Sequence, residues 1–444
     1  MTGQGAAPGT GKAVVVGGGH AGLLAAWALR GQAEEIVVVE RDHYPAAAAF
    51  RAGVPQGRHA HLLLEAGHRA LEEQVPGIRE ELVAAGAVWV NMAQGLRWLS
   101  PAGWMAEHVS DLRMLSCTRP VLEHVLRARV RAEPSIRFLE GTEAVGLLGT
   151  PAEVAGVLVR ERGEGGETRR LDARLVVDAS GRAAGAAGWL AALGAPPVPE
   201  ERVDAGVRYA SRLYHRPVGL ELDFEALYLQ TKAPDIRQLG VLLPVEDGRW
   251  IVSVGGMRGG EPEPGEAGFL RQLELLRDSS MREAVAAAAP AGEVRGFLPG
   301  PAVCRHYERQ APEGLVVIGD ASCTFNPVYG QGLTVAAFGA GALRAAVERH
   351  GGIGHPAAAA ARRAVAALTK DPWVMSSSED ARFAATEGAR SGPALRVQHL
   401  FLDRVLARAT KDPKVAAAFY QVMTLVAPPT LLFRPATLGA VLLG

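Results

Sequence analysis

The sequence predicts an α/β fold: a Rossmann-like dinucleotide-binding domain with an inserted antiparallel β-sheet domain and a helical C-terminal region. Three observations predict it. A strand, glycine turn, helix and strand follow one another near the N-terminus, turn-separated strand patterns dominate after residue 185, and helical patterns dominate after residue 350. We therefore predict a discontinuous dinucleotide-binding domain over 1–185 and 300–350, a substrate-binding β-sheet domain over 186–299 and a helical region over 351–444.

The first element is a βαβ unit. Ala13–Val16 is a short apolar, β-branched run, and a G-x-G-x-x-G turn follows it over 17–22. Leu23–Leu29 is rich in Ala and Leu and predicts a helix, and Glu35–Val39 predicts a second buried strand that ends at Glu40. This order is typical of a parallel sheet that binds a dinucleotide.

Each residue of the turn has a mechanical role. Gly17 makes the tight turn, Gly19 lets the backbone approach a pyrophosphate, and Gly22 allows close packing of helix on strand. The helix N-terminus then faces the phosphates. Glu40 is placed to accept hydrogen bonds from a ribose.

Four further elements are predicted between the turn and residue 180. Arg58 opens a helical pattern that runs to about Glu73, and Arg119–Val130 is an amphipathic helix. Val154–Val159 and Arg170–Val177 predict strands that are separated by a turn at 163–166.

The inserted domain is predicted to be an antiparallel sheet. Val207–Tyr214, Leu239–Pro244 and Trp250–Val254 are strand patterns joined by turn residues. Its aromatic residues, together with one in a later loop, are candidates for the wall of a substrate pocket, with core packing as the alternative; they are Tyr209, Tyr214, Trp250 and Phe325.

A second glycine motif indicates which dinucleotide the domain binds. Leu315–Ile318 is a buried strand that ends in Gly319-Asp320, and a Pro/Gly loop then leads to a helix that opens at Gly330 and runs to about Val347. A carboxylate at the end of the strand suits a sugar-alcohol chain such as ribityl. Free N–H groups at the helix start suit the electron-rich pyrimidine edge of a flavin, where negative charge builds on reduction.

The composition excludes several classes of protein. With 48% hydrophobic and 21% charged residues, the chain is neither disordered nor fibrous. Its 47 basic and 47 acidic residues cancel, so it lacks the positive surplus of a nucleic-acid-binding protein, and we expect no nucleic-acid partner.

Cysteine usage and the two termini indicate a cytoplasmic protein. The three cysteines, Cys117, Cys304 and Cys323, are far apart in the sequence, which argues against a disulfide framework or a metal site. Residues 1–12 lack the apolar stretch of a signal peptide. Prolines and an arginine interrupt the apolar run 424–444, so we expect no membrane span and a tail packed on the body, with shallow contact with a bilayer as the alternative.

Three motifs in this order carry a family resemblance: GGGHAG with Glu40, DASGR at 178–182, and GDASCTFNPVYGQG from Gly319. The chain resembles the FAD-dependent monooxygenases of the aromatic-hydroxylase fold, over most of its length to about Val347. The resemblance implies an FAD-binding domain of the glutathione-reductase type. It also implies a set of cofactor-binding residues: Gly17, Gly19, His20, Ala21, Gly22, Glu40, Arg41, Arg58, Arg119, Asp178, Gly319, Asp320, Pro327, Gly330, Gln331, Gly332 and Leu333.

In that family the aspartate of the GD motif contacts the ribityl chain, and the GQG segment lies over the pyrimidine ring. The resemblance therefore assigns these roles to Asp320 and to 330–333. Arg119 matches an arginine near the cofactor, and Arg58 matches the arginine after the second strand.

Three shorter segments, GVPQGRHAHLLL, FNPVYGQGLTVAA and PPTLLFRP, resemble a bacterial branch that includes epoxidases of polyether and polyketide biosynthesis and is similar to squalene epoxidases. This resemblance implies epoxidation of an alkene in a lipophilic polyketide or terpenoid, with O2 as cosubstrate. The oxygen would pass through a C4a-hydroperoxyflavin, so no side chain is assigned as catalytic. The alternatives are a phenol hydroxylase, a flavin-dependent reductase of isoprenoid double bonds, and a non-catalytic FAD-binding redox protein.

One departure from the family pattern leaves the electron donor open. Asp178-Ala179-Ser180-Gly181 stands where many aromatic hydroxylases have Asp-Gly, and this form also occurs in flavin reductases and halogenases. Electrons would come from NADH or NADPH, or from a partner flavin reductase. Halogenases of this fold use a lysine in the N-terminal part, but no lysine occurs between Lys12 and Lys232, so halogenation is disfavoured.

Three other residues have ordinary interpretations. His59 and His61 are spaced like metal ligands but lack partner ligands in the sequence, so we expect a structural or flavin-proximal role and no metal. Cys323, close after the GD motif, is interpreted as a small buried residue.

Overall fold

The computed structural model describes residues 11–163, 166–183 and 185–443. Residues 1–10, on which most of the signal-peptide argument rests, lie outside the described residues. The same holds for Glu164 and Gly165 in the predicted turn.

The described strands are, in chain order, β1 (Lys12–Val16), β2 (Glu35–Val39), β3 (Val88–Asn91), β4 (Leu96–Ser100), β5 (Gly103–Trp104), β6 (Arg113–Ser116), β7 (Ile136–Leu139), β8 (Thr142–Gly149), β9 (Val154–Glu161), β10 (Thr168–Asp172), β11 (Leu175–Asp178), β12 (Glu200–Val203), β13 (Arg208–His215), β14 (Ala226–Leu229), β15 (Gln238–Val245), β16 (Arg249–Gly256), β17 (Ala289–Pro290), β18 (Arg295–Phe297), β19 (Ala302–Arg305), β20 (Leu315–Val317) and β21 (Cys323–Thr324). The helices are α1 (His20–Leu29), α2 (Glu65–Gln74), α3 (Ile78–Ala84), α4 (Arg119–Arg131), α5 (Ala186–Ala192), α6 (Gly265–Glu274), α7 (Ser280–Ala286), α8 (Gly332–Arg349), α9 (His355–Asp380), α10 (Pro393–Ala409), α11 (Pro413–Met423) and α12 (Pro435–Leu443).

The N-terminal half is built on a parallel sheet in the order β20-β11-β1-β2-β7. Strands β1, β2, β11 and β20 are largely apolar, as expected for a parallel sheet with both faces covered, whereas the edge strand β7 carries an exposed arginine. Helices α1, α4 and α8 pack on one face, and the antiparallel sheet β10-β9-β8 packs on the other. The α/β fold and the first βαβ unit are confirmed, and the carboxyl ends of β1, β2, β11 and β20 meet at one edge.

Two local predictions are wrong. The helix predicted from Arg58 begins only at Glu65, because the segment before it is extended and Leu63 forms a bridge with Leu115. The predicted strand 170–177 is two strands, β10 and β11, which belong to different sheets. The chain changes sheets at Ala173, whose N–H donates to Ala155, while the next N–H donates to Lys12.

The inserted sheet has eight strands, including the three predicted ones, which pair antiparallel as β13-β16-β15. Two of its strands, β4 and β5, come from residues 96–104, upstream of the predicted range 186–299, and β4 pairs parallel with β14. One face of this sheet packs on α6 and α7, and the other packs partly on the C-terminal helices.

The C-terminal region is helical, as predicted. Helix α9 packs against α8, and α10–α12 pack on the β4 end of the large sheet, where the Trp98 ring lies 5.5 Å from the rings of Phe419 and Tyr420. Among the residues that the structure describes, we find no helix with the length and apolarity needed to span a bilayer.

Candidate cofactor and substrate site

A single cavity of about 710 Å³ joins the parallel sheet to the inserted sheet. At one end it is bounded by the β1–α1 turn, the residues after β11 and the residues between β20 and α8. At the other end it is bounded by strands β4, β14 and β15 of the large sheet.

The predicted residues that line the cavity are Gly17, Gly19, His20, Ala21, Glu40, Arg41, Arg119, Asp320, Pro327, Gly330, Gly332 and Leu333, together with Tyr209 and Phe325. Four others lie directly behind this wall: Gly22, Asp178, Gly319 and Gln331. Asp178 accepts a hydrogen bond from the Ser180 N–H at 2.9 Å and so fixes the turn whose Ala179, Ser180 and Gly181 do face the cavity.

The β1–α1 turn has the tight geometry that its glycines predict. Gly17 has φ +95°, and a Cβ on Gly22 would lie 1.8 Å from the Gly17 carbonyl oxygen. Helix α1 therefore starts directly on the turn. Gly19 occupies its N-cap without a side chain, so the first N–H groups of α1 remain available to a ligand in the cavity.

A buried cluster of charges surrounds this turn. Glu40 accepts a hydrogen bond from the Gly18 N–H at 2.8 Å and pairs with Arg51 at 3.1 Å. Arg51 also contacts Asp42 and Glu123, both at 3.2 Å, and Arg119 pairs with Glu123. Burial alone would lower the pKa of Arg51, but Glu123 and Glu40 raise it overall, so the guanidinium stays charged.

Of the two arginines between residues 50 and 60, Arg51 faces the cavity, as Arg41 does, and Arg58 does not. Arg58 is exposed at the end of a short 3₁₀ turn, its guanidinium lies over the Phe50 ring, and it does not line the cavity. Arg51 lies in an Ala-rich segment with no motif of its own, and its partners are spread from Glu40 to Glu123, so sequence reasoning missed it.

The second glycine motif forms the adjoining wall. Asp320 follows β20 and faces the cavity; its enclosed position raises the pKa of its carboxyl, while Arg182 and Arg119 oppose that shift. Helix α8 begins at Gly332 without a side-chain cap. The uncapped N-termini of α1 and α8 thus open into the same cavity, and each favours negative charge there.

Two neutral imidazoles, those of His20 and His61, line the same cavity. Burial and the Arg119 charge lower the pKa of His20 to about 3 and that of His61 to about 4. Both residues line the cavity; the sequence predicted a cofactor contact for His20 and a structural or flavin-proximal role for His61.

The residues present fit FAD. Both ring nitrogens of His20 and both amide atoms of Gln331 are buried and have no hydrogen-bond partner among the described residues. Together with two uncapped helix N-termini and two carboxylates, Glu40 and Asp320, they give donors and acceptors along an extended path, as a bound dinucleotide requires.

The sheet end of the cavity is apolar. The described residues that line it are Leu62, Leu64, Met92, Leu96, Trp98, Met114, Tyr228, Gln230, Leu239, Val241, Leu243 and Met423, and none of these is charged. The Trp98 indole N–H donates to the Gln230 side-chain oxygen at 3.0 Å, which fixes both side chains. The charged lining residues all belong to the cofactor end.

Two of the four predicted pocket aromatics lie elsewhere. Tyr214 and Trp250 are buried on the other face of the large sheet, against Phe269 and α7, because alternate residues of a strand point to opposite faces. Tyr209 faces the cavity and makes an edge-to-face contact with His59 at 4.8 Å.

His59 and His61, predicted to have a structural or flavin-proximal role, contact protein partners, and Cys323 is buried as predicted. The Nδ1 of His59 lies 2.8 Å from the Ser211 hydroxyl, and the Nδ1 of His61 lies 2.9 Å from the His59 carbonyl. Cys323 is buried, and although Cys304 is distant in sequence it is the direct cross-strand partner of Cys323 between β19 and β21.

Comparison with known proteins identifies relatives of the chain and an FAD binding domain in its N-terminal part. Residues 10–207 match the family model described as FAD binding domain. The chain is 32% identical over 432 residues to Protein Rv3254 of Mycobacterium tuberculosis, covering 93% of this chain and 89% of that protein. It is 29% identical over 330 residues to Digeranylgeranylglycerophospholipid reductase 2 of Methanopyrus kandleri, covering 72% of each.

Solved structures share the fold over nearly the whole chain. The flavin-dependent brominase Bmp2 aligns with a TM-score of 0.68 at 13% identity, over 94% of this chain and 93% of that one. The p-nitrophenol 4-monooxygenase PnpA of Pseudomonas putida aligns with a TM-score of 0.62 at 17% identity, over 95% and 99%. The chain therefore belongs to the same family as Protein Rv3254, and its N-terminal part is an FAD binding domain.

Proposed function

We propose that the chain is an FAD-dependent monooxygenase that transfers one oxygen atom from O2 to a carbon–carbon double bond of a lipophilic polyketide or terpenoid. The observation that supports this proposal is the continuity of one cavity from the FAD-binding elements to an uncharged, apolar sheet face. FAD, when bound, supplies the redox chemistry that activates oxygen.

The chain's own residues would bind and orient the cofactor. The N–H groups at the start of α1 would bind the pyrophosphate, and Asp320 would bind the ribityl hydroxyls. The N-terminus of α8 would face the pyrimidine edge and stabilise the negative charge that forms there on reduction.

The sheet end would hold the substrate and exclude water. A charged group placed among Leu239, Val241 and Leu243 would be buried without a partner, so this end favours an uncharged substrate. Water exclusion matters because oxygen activation without transfer to substrate releases hydrogen peroxide.

Two other reactions remain candidates on specific observations. The likeness to the Methanopyrus reductase favours saturation of isoprenoid double bonds, and the fold likeness to PnpA favours hydroxylation of a phenol. A halogenase is disfavoured, although Bmp2 shares the fold, because no lysine occurs between Lys12 and Lys232. A non-catalytic redox protein would not require the apolar half of the cavity.

We further propose that the electrons come from NAD(P)H or from a partner flavin reductase.

Product analysis tests the proposal. The FAD-loaded protein is reduced with one equivalent of dithionite, mixed with O2, and offered a polyene and a phenol together. An oxirane supports epoxidation, a catechol supports the hydroxylase, and a saturated product formed without O2 consumption supports the reductase. Hydrogen peroxide as the sole product with both substrates would contradict a monooxygenase of either kind.

A further inference from the structure

The loop before α8 is tied to the C-terminal region by one carboxyl group. Asp380, the last residue of α9, is 1% exposed. Its Oδ1 accepts hydrogen bonds from the Asn326 side-chain amide at 2.7 Å and from the Tyr329 hydroxyl at 2.8 Å. Both donors belong to the 326–330 loop, whose residues line the cavity.

The same loop sets where α8 begins. The Asn326 side-chain oxygen accepts a hydrogen bond from the Val328 N–H at 3.2 Å. The amide oxygen therefore holds the turn, while the amide nitrogen donates to Asp380. The turn leads through Gly330, in the left-handed region at φ +67°, directly into Gly332 at the start of α8. A shift of Asn326 or Tyr329 would therefore move the N–H groups at the start of α8.

We propose that Asp380 is a positioning residue of the FAD site: it fixes the 326–330 loop and, through it, the N-terminus of α8 against the cofactor. This inference rests on the proposed function, since it takes the flavin ring to lie at the start of α8. It makes the region after residue 350 part of the cofactor site, whereas the match to the FAD binding domain ends at residue 207.

The loop also separates two cavities. Val328 and Tyr329 line both the main cavity and a smaller one of about 220 Å³, whose lining includes Lys232 and Arg382. Loss of the Asp380 contacts would leave the Tyr329 hydroxyl and the Asn326 amide buried without an acceptor. The loop would then relax toward the smaller cavity, and the flavin edge would become more accessible to water.

Three variants test the role of Asp380, with one matched control. Asp380→Ala removes the acceptor, Asp380→Asn keeps one acceptor oxygen, and Tyr329→Phe removes a single donor outside α9. Glu379→Gln is the control, because Glu379 precedes Asp380 in α9 but pairs with Arg382 instead of the loop. The measurements are the Kd of FAD for the apoprotein by fluorescence titration, the midpoint potential of the bound flavin, and Tm.

We expect Asp380→Ala to weaken FAD binding about tenfold and to shift the midpoint potential, because the N-terminus of α8 stabilises the reduced flavin. Asp380→Asn and Tyr329→Phe should shift the same two quantities by less, and Glu379→Gln, which keeps both hydrogen bonds to the loop, should change them least. A purely structural role would lower Tm without changing either quantity.

Wild-type Kd and midpoint potential in Asp380→Ala would overturn the proposal, whatever the change in Tm. If that variant does not fold, Tyr329→Phe decides by the same criterion. Failure of the wild-type protein to bind FAD is a separate result that would overturn the proposed function itself, and with it this inference.

Discussion

The two ends of the cavity differ in the charge of the residues that line them. The cofactor end holds buried charges in pairs, with Arg51 in contact with Glu40 and Glu123. The sheet end holds aromatic and aliphatic side chains such as Trp98 and Val241, without a charged residue among those described there. One cavity thus joins a charged surface, which suits a dinucleotide, to an apolar surface, which holds the substrate in the proposed function.

This difference in charge means that the cofactor end and the sheet end can bind different kinds of molecule. A buried charge is tolerated only where a partner and hydrogen bonds compensate for its lost hydration, and the cofactor end supplies both. The sheet end supplies neither, so it excludes charge and water together. Changes at the cofactor end should therefore alter stability and FAD binding, whereas changes at the sheet end should alter what happens to the substrate.

Removal of Arg51 should have the largest effect. Arg51→Ala leaves Glu40, Asp42 and Glu123 buried without their shared cation, and breaking a buried ion pair in this way lowers the free energy of unfolding by about 3–5 kcal/mol. Bound FAD should be lost as well. Arg58→Ala is the control, because Arg58 is exposed and its contact with Phe50 contributes about 0.5–1 kcal/mol at most.

Denaturant unfolding and the FAD content of the purified protein measure both effects. Equal losses in the two variants would contradict the assignment of Arg51 and would restore Arg58 as the functional arginine.

The β1–α1 turn should be the next most sensitive place. Gly22→Ala forces a methyl group to 1.8 Å from the Gly17 carbonyl oxygen, and overpacking of this kind costs about 1–3 kcal/mol in the free energy of unfolding. The start of α1 would move, so the Kd of FAD should also rise.

Gly188→Ala is the matched control, since Gly188 lies in α5 with nothing within 4 Å of an added methyl group. That change should stabilise the protein slightly, because Ala is favoured over Gly in helices. A Gly22→Ala protein with wild-type Tm and FAD affinity would show that the turn is looser than its geometry indicates.

Most of the cofactor end could be predicted from the sequence because the residues of each part lie close together in the chain. The turn at 17–22 and Glu40 follow from one βαβ unit, and the link from Asp320 to the start of α8 spans a short segment, so spacing alone places them. The exception is Arg51, whose partner carboxylates are brought to it from Glu40, Asp42 and α4 by tertiary packing.

The sheet end could not be predicted in the same way. Its wall combines Trp98 from β4 with Val241 from β15 and Met423 from α11, and no pattern in the sequence links these segments. Strand alternation also decided which aromatics face the cavity: Tyr209 does, whereas Tyr214 lies an odd number of residues further along β13 and points to the opposite face.

A charge introduced at the sheet end should impair substrate turnover without impairing FAD binding. Val241→Lys places an ammonium group in the apolar wall, which should lower kcat/KM for a lipophilic substrate about tenfold or more and increase release of hydrogen peroxide, while the Kd of FAD stays within about twofold. Val218→Lys makes the same change at an exposed loop position and should leave all three quantities unchanged. Loss of FAD binding in Val241→Lys would show that the two ends are not independent.

The smallest expected effect is a pH dependence of stability, and it follows from a comparison of two buried carboxyl groups, those of Glu123 and Asp380. Burial raises the pKa of Glu123, but Arg119 and Arg51 lower it overall. Burial raises the pKa of Asp380 to about 7, because only the Tyr329 hydroxyl and the Asn326 amide oppose the shift and the nearby Glu379 and Asp204 charges add to it. Without an ion-pair partner among the described residues, the Asp380 carboxyl stays protonated at pH values well above its usual pKa of 3.8.

Since folding raises the pKa of Asp380, the folded state holds a proton that the unfolded state has lost, and stability falls as pH rises through about 7. The Asp380 contribution should make the free energy of unfolding about 1–1.5 kcal/mol lower at about pH 8 than at about pH 6. Asp380→Asn, which cannot ionise, should remove that part of the pH dependence, whereas Glu379→Gln should retain most of it. Urea unfolding across this range measures the slope, and an unchanged slope in Asp380→Asn would show that Asp380 is already ionised at the lower pH.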